Sequence, residues 1–481
     1  MRTYLAVYLG SALVALLVTP LSMWLACRIK AVDRPGIRTI HERPTPRLGG
    51  LSIFLATMCL IVCVLFLDNK IGEAFRDKPL QLVSLLCTAT CIFLIGLIDD
   101  IRGLPARFKF LAEIVAAGTL CYVGVQIKNV AITDTIILDM GWFAWPLTVL
   151  WIVGITNAVN LSDGLDGLAA GVSAVACAVI AIFAIHSSNN VMAVFMLALL
   201  GGLSGFLFFN FNPAKIFMGD CGSLFVGYTI ASSSVMCMTK SSALVGLALP
   251  VLALGIPIFD TFFCMLRRFL ERRPLFAPDR RHFHHRLIEL GLKQQHAVIA
   301  IYAATCLSTG LGLFMMVRRD IGALVLLGCI LFLVILLFRV VGAVRFRDTI
   351  LRLQEKHAIA RQQKQEKKIF EHFQLRFRRT QGFPDWWEAV CEAADSLDFT
   401  WVSLTTTMPN GNTQTTVWRE NSSPAEKIRV ITVTFPMTDA VTQQLSEFEI
   451  AVKVNGSLES ASHRAGLFSR LLDETSLGYS L

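Results

Sequence analysis

Charged side chains are scarce in this chain. Asp, Glu, Lys and Arg make up 16% of its 481 residues, against about 25% in an ordinary soluble domain. With 54% hydrophobic residues, that shortfall excludes a wholly water-soluble protein and places most of the chain in lipid. A GxxxxGKS/T loop is absent, so any phosphate chemistry is not that of a P-loop enzyme. The 13 cysteines include no CxxC pair. Cys59 and Cys63, like Cys87 and Cys91, sit four apart in apolar runs and read as small hydrophobes on one helix face. Neither a thiolate metal site nor a disulfide framework is supported. The N-terminal run MRTYLAVYLGSALVALLV has no convincing small-residue cleavage site and stays apolar to Ala26, which reads as a retained first helix. Acidic residues are in deficit, giving a formal charge of +9. In a membrane protein this is a cytoplasmic excess of Lys and Arg or a site for anionic substrates, and no nucleic-acid partner is expected.

What the chain has in plenty is long apolar runs. At roughly twenty residues per crossing, about eleven spans are expected, near 4–27, 48–67, 81–98, 108–125, 142–160, 168–186, 191–209, 223–238, 243–263, 297–317 and 321–343. An odd number puts the termini on opposite sides. One class of connection (28–47, 99–107, 161–167, 210–222 and 264–296) holds the basic clusters Arg28 to Arg47 and Arg267 to Lys293. By the positive-inside rule this class is cytoplasmic, with the N-terminus outside and the C-terminus inside. The expected fold is an all-α polytopic membrane protein with a small C-terminal cytoplasmic α+β module. Its divisions are 1–343 for the membrane domain, 344–382 for a charged amphipathic helical linker and 383–481 for the soluble module. The basic face of the linker suits anionic membrane lipid or plain solvent equally. In the module FTWVSLTTTM, TQTTVWRE, KIRVITVTFP and FEIAVKVNG alternate as strands, with PNGN at 409–412 as a hairpin turn. His463 stands alone there, with no catalytic constellation around it.

The polar motifs all fall on the cytoplasmic side. TNAVNLSDGLDGLAAG at 156–171 sets Asn157, Asn160, Asp163 and Asp166 among glycines between apolar runs, which is costly unless the cluster faces water and binds something. Asp99 and Asp100 end the run LIGLI. Two adjacent carboxylates attract a divalent metal or a proton, or they cap a helix end. Lys109 is a nearby cation for a phosphate or for the Asp pair, or a snorkelling helix-end lysine. In FMGDCGS, Asp220 suits a hard cation, and Phe217 either stacks on a planar base or packs in the core. PDRRHFHHRL at 278–287 brings His282, His284 and His285 among Arg280, Arg281 and Arg286. That mixture suits a diphosphate better than zinc. Carboxylates for a divalent cation and cations for phosphates together point to phosphoryl transfer with Mg²⁺. A site at the lipid–water boundary implies a membrane-dissolved substrate. A transporter or flippase with a sensor module is the alternative, but its carboxylates belong near the bilayer midplane.

LIGLIDD, NAVNLSDGLDGLAAG, NPAKIFMGDCGS and PDRRHFHHRL, in this order, resemble the polyprenyl-phosphate N-acetylhexosamine-1-phosphate transferases over about residues 1–343. The HxHH form is similar to the branch that starts O-antigen and lipopolysaccharide, enterobacterial common antigen or teichoic-acid linkage synthesis, rather than the phospho-N-acetylmuramoyl-pentapeptide branch. The resemblance implies transfer from a UDP-N-acetylhexosamine to undecaprenyl phosphate in the bacterial inner membrane, with Mg²⁺ or Mn²⁺ in its place. N-acetylglucosamine is the default sugar. The resemblance assigns the metal to Asp220 and Asn160, and catalysis to Asp99 and Asp100 with Asp99 as preferred base. Asp163 is placed with these two as a catalytic residue, with a less defined polar role. Lys109 falls near the diphosphate, Asp166 and Phe217 at the uracil, and His282, His284 and His285 at the diphosphate or sugar, with Asn157 and Arg281 as further substrate contacts. The extra C-terminal module is compatible with regulation, docking of a later glycosyltransferase or homodimer formation.

Overall fold

The computed structural model describes residues 2–33, 44–68, 70–76, 79–131, 137–238, 243–270, 282–318, 325, 328–330, 332–336, 361, 364–407, 413–420, 429–438, 445–454 and 458–474. The chain divides into two compact units, Met1–Phe346 and Arg347–Leu481.

The first unit is helical. Its elements run α1 (Arg2–Arg28), β1 (Val32–Asp33), β2 (Thr45–Pro46), α2 (Gly49–Leu65), α3 (Lys70–Arg76), α4 (Pro79–Arg102) and α5 (Ala106–Tyr122). A hairpin of β3 (Asn129–Ala131) and β4 (Ile137–Asp139) follows. Then come α6 (Ala144–Ser162), α7 (Leu168–His186), α8 (Asn190–Asn210), α9 (Gly219–Met238), α10 (Ala243–Ala253), α11 (Gly255–Leu270), α12 (Phe283–Glu289) and α13 (Gln294–Arg318). Among the described residues, six helices are long and apolar enough to cross a membrane: Arg2–Arg28, Leu80–Arg102, Gly141–Ser162, Leu168–His186, Asn190–Asn210 and Gln294–Phe314. This is a multi-pass membrane protein.

Several details depart from the sequence-based expectation. The apolar run 243–263 is not one helix: it breaks at Leu254, between Pro250 and Pro257, into α10 and α11. Proline removes a backbone donor and crowds the preceding turn. Asp99 and Asp100 are not in a connection but in the last turn of α4. The expected connections 68–80 and 126–141 carry α3 and the β3–β4 hairpin. The expected span 321–343 falls mostly outside the described residues.

Two features bring α2, α4 and α9 together below the polar motifs. Phe54, Phe93 and Phe225 form an aromatic cluster, with Phe54 and Phe93 stacked at 4.0 Å and Phe225 edge-on to Phe54 at 5.3 Å. Such pairs stabilise by about 1 kcal/mol beyond the area they bury. Above them, the Gly49 and Gly50 amides donate to the carbonyls of Phe217 and Met218 at 2.9 and 2.8 Å, while Phe217 N–H donates to Pro46 at 2.8 Å. The chain entering α2 thus fixes the chain entering α9.

The second unit contains helical residues 364–377 (α14), α15 (Phe383–Ser396), a four-stranded antiparallel sheet and α16 (Leu458–Glu474). The strands are β5 (Phe399–Thr407), β6 (Thr413–Arg419), β7 (Val430–Thr438) and β8 (Leu445–Lys453), in the order β6-β5-β8-β7. Phe370, Phe373 and Phe377 of α14 are buried with Trp386, Phe399, Phe448 and Phe468, so α14 contributes to this core. The PNGN turn and residues 344–360 lie outside the described residues.

Candidate active site

An α-helix begins with backbone N–H groups that have no intrahelical partner. In α9 a carboxylate from another helix takes two of them. Asp100 Oδ1 accepts the Asp220 N–H at 3.0 Å, and Oδ2 accepts the Cys221 N–H at 2.9 Å. Arg47 donates to Oδ1 through Nη2 and Nε at 3.2 and 3.3 Å. The close approach requires glycine at 219, which is left-handed (φ +73°); a Cβ there would meet the Arg47 carbonyl and lie 2.6 Å from Asp100 Oδ2. The Asp100 side chain has 0% exposure and that of Asp220 24%. Asp100 therefore holds the start of α9, and Asp220 is the carboxylate open to a ligand. Asp100, expected among the catalytic residues, is placed here as acceptor for the first amides of α9 and for Arg47.

Asp99 turns to the other side. It accepts the Leu104 N–H and lies 2.8 Å from Lys109 Nζ. The same ammonium is 2.5 Å from Asp220 Oδ2. Asp220 Oδ1 accepts from Asn160 Nδ2 at 3.2 Å, and that nitrogen also donates to Ser223 Oγ at 2.8 Å. Four helices, α4, α5, α6 and α9, thus converge on one line of side chains: Asp99, Lys109, Asp220, Asn160. Asp163, just past the end of α6, joins this group electrostatically. Burial and the neighbouring Asp220 and Asp100 carboxylates raise its carboxyl to about 7, against a hydrogen bond from Gly219 N–H that favours the ionised form.

The donor set fits a hard divalent cation. Asp220, Asp99 and Asp163 offer carboxylate oxygens, and Asn160 an amide oxygen. Among the described residues no three acidic, His or Cys side chains already converge as ligands. Lys109 supplies positive charge between Asp99 and Asp220. Asn160 presents its nitrogen to Asp220, so a ligand role for it uses Oδ1.

A second group surrounds the turn after α6. Asp166 Oδ2 accepts from Asn212 Nδ2 at 2.7 Å and the Ala214 N–H at 3.0 Å. Gly167 N–H donates to Asn210 Oδ1 at 3.1 Å. The Gly167 carbonyl accepts from the Tyr302 hydroxyl of α13, and Gln295 of the same helix donates to the Asn212 carbonyl at 3.1 Å. The 164–167 turn and the 210–217 loop are therefore one assembly. Asp166 sits on the first and half-buried Phe217 on the second.

Other expected site residues stand differently. Asn157 does not face the carboxylate line through its amide nitrogen: it donates to Glu113 of α5, which is buried, and to the Val153 carbonyl at 2.9 Å. His282 is buried, with Nδ1 2.9 Å from Asp260 Oδ2. His285 is half-buried on α12, and His284 lies in the same helix. Arg281 lies outside the described residues. Sequence reasoning missed Arg47, Glu113, Asn210, Asn212, Asp260 and Tyr302. Glu113 and Asp260 carried a usable signal, an isolated acid inside an apolar run. Arg47 was hidden in a basic loop that positive-inside already explained.

The membrane unit is similar in sequence to known proteins. Residues 82–238 match the family described as glycosyl transferase family 4. A probable undecaprenyl-phosphate N-acetylglucosaminyl 1-phosphate transferase of Bacillus subtilis is 36% identical over 296 residues, covering 61% of this chain and 80% of that protein. A decaprenyl-phosphate N-acetylglucosaminephosphotransferase of Mycobacterium leprae is 33% identical over 327 residues, 63% of this chain and 81% of that protein. A phospho-N-acetylmuramoyl-pentapeptide-transferase of Halalkalibacterium halodurans is 30% identical over 253 residues, 49% of this chain and 75% of that protein. The chain belongs to glycosyl transferase family 4, among its polyprenyl-phosphate N-acetylhexosamine-1-phosphate transferases.

Proposed function

We propose that the protein transfers N-acetylhexosamine-1-phosphate, with N-acetylglucosamine as the sugar, from a UDP-sugar to undecaprenyl phosphate. The products are undecaprenyl-diphosphate-sugar and UMP, and the step opens a cell-surface polysaccharide pathway such as O-antigen synthesis. The observation that carries this reading is the line of Asp99, Lys109, Asp220 and Asn160 from four separate helices. The relatives, named for undecaprenyl and decaprenyl phosphate, support the acceptor class.

In this mechanism Asp99 takes the proton of the acceptor phosphate where it carries one. A phosphate oxygen attacks the β-phosphorus of the UDP-sugar in line. The bond from that phosphorus to the bridging oxygen breaks, and its electron pair leaves with UMP. Lys109 neutralises diphosphate charge. Asp220 and the Asn160 amide oxygen would hold Mg²⁺, or Mn²⁺, which supplies charge neutralisation at the diphosphate when bound. Asp166 and Phe217 belong at the uracil and His285 at the sugar-diphosphate. Asp100 and Arg47 keep Asp220 in place.

The same reading sets the protein in the bacterial inner membrane with about eleven crossings, the N-terminus periplasmic and the site and C-terminal unit cytoplasmic. The test is direct. Purified protein is incubated with undecaprenyl phosphate and a panel of UDP-sugars, and the lipid product is identified by mass. An undecaprenyl-diphosphate-N-acetylhexosamine supports the reading; no sugar-phosphate adduct with any donor overturns it.

A further inference from the structure

Asp260 stands in the apolar stretch GIPIFDTFF of α11 and is 9% exposed. A carboxylate in such a place is expensive unless its oxygens are partnered. Both oxygens reach the same short segment. Oδ2 lies 2.9 Å from Nδ1 of His282, and Oδ1 accepts the Phe283 N–H at 2.8 Å.

That segment is the start of α12. His282 precedes the helix, its carbonyl accepts the Arg286 N–H at 3.2 Å, and its own side chain makes no capping bond there. Asp260 does that work from α11, as Asp100 does for α9. The 2.9 Å contact between Nδ1 of His282 and Asp260 Oδ2 fixes the orientation of the imidazole ring. Orientation of a histidine by a carboxylate on its other ring nitrogen is a general device of functional sites.

The pair also adjoins the carboxylate turn. Asp260 and Phe283 line one small pocket together with Ser162 and Leu168. Ser162 precedes Asp163 and Leu168 follows Gly167 in the chain. Asp260 thus touches the start of the histidine motif and lies beside the two ends of the turn carrying Asp163 and Asp166.

We propose that Asp260 is a positioning residue for the sugar-diphosphate donor: it anchors His282 and the first turn of α12, and so sets where His285 stands. His282 is then the anchor of the histidine motif, held by Asp260, and the donor is met by the residues after it. This rests on the transferase reading given above.

The test uses the full chain in detergent, with two readouts. In hydrogen–deuterium exchange, Asp260→Asn and His282→Gln each raise exchange across 282–289 and leave 219–238 unchanged, an outcome independent of turnover. In the UMP-release assay, each variant raises KM for the UDP-sugar about tenfold, with KM for undecaprenyl phosphate within about twofold, and the double variant is no worse than the worse single one. Unchanged exchange in 282–289 overturns the anchor. Equal rises in both KM values, an unchanged donor KM, or multiplied losses in the double variant overturn the positioning role. If Asp260→Asn does not fold, His282→Gln decides by the same criteria. A wild-type protein that releases no UMP counts against the transferase reading, and the exchange result still judges the anchor.

Discussion

The Lys109 ammonium lies 2.5 Å from the Asp220 carboxylate, although 111 residues separate them. It also reaches Asp99 at 2.8 Å. One cation thus joins the end of α4 to the start of α9 at the point where the substrate diphosphate would arrive. Replacing Lys109 with Met leaves two carboxylates facing each other without their shared counter-charge. The expected loss in kcat/KM for UMP release is about 100-fold. Lys109→Arg keeps the charge and loses less, since guanidinium also pairs with carboxylates though in a different geometry. Steady-state kinetics on both variants checks the order.

Asp100 predicts a stability effect. Removing it leaves the Asp220 and Cys221 N–H groups and Arg47 without their acceptor. Breaking a buried pair from one side costs about 3–5 kcal/mol. Asp100→Ala should therefore lower the thermal midpoint in detergent markedly. Arg47→Ala should lower it less, because Arg47 is partly exposed and both N–H donors remain on Asp100.

Gly171 predicts a packing conflict. A Cβ at this position would overlap the hydroxyl and ring of Tyr302. Overpacking of this kind costs about 1–3 kcal/mol, so Gly171→Ala should be destabilised. Adding Tyr302→Ala to that variant should return part of the loss, despite removing the bond to the Gly167 carbonyl. A thermal-shift comparison of the two single variants and the double tests this.

Asp163 predicts a pH effect on the cation-free protein. Its carboxyl is raised to about 7, chiefly by burial, from an ordinary value of about 3.9. A raised folded value means the folded form holds the proton more tightly. The resulting stability is fully present below about pH 4 and is lost as pH rises through about 7. Without divalent cation, Asp163→Asn should melt later than wild type at pH 8, with the difference shrinking toward pH 5. Melting curves across that range decide it.

Much of the site was legible because its polar residues interrupt apolar runs. Asp99, Lys109, Asn160 and Asp220 each stood out for that reason, and the structure brings them together. Hydrogen-bond direction was not legible. Nothing local tells Asp100 from Asp99; the difference comes from the left-handed Gly219, which brings the α9 backbone onto one carboxylate. Asn157 and Asn160 look alike in sequence, but Glu113 on another helix claims the first. The break at Leu254 was masked by a run that is apolar on both sides, although Pro250 and Pro257 mark it. Long apolar helices were easy to place, and the α7 bounds Leu168–His186 coincide with the span read from sequence.

Asp220 is the residue on which the proposed sugar-phosphate transfer to a polyprenyl phosphate depends most. The most direct measurement is UMP release by purified protein given UDP-N-acetylglucosamine, undecaprenyl phosphate and Mg²⁺, comparing wild type with Asp220→Ala. Wild-type release should require the acceptor lipid and Mg²⁺ and should fall by at least about 100-fold in the variant. Near-normal release by Asp220→Ala, or wild-type release without the lipid, would contradict this reading.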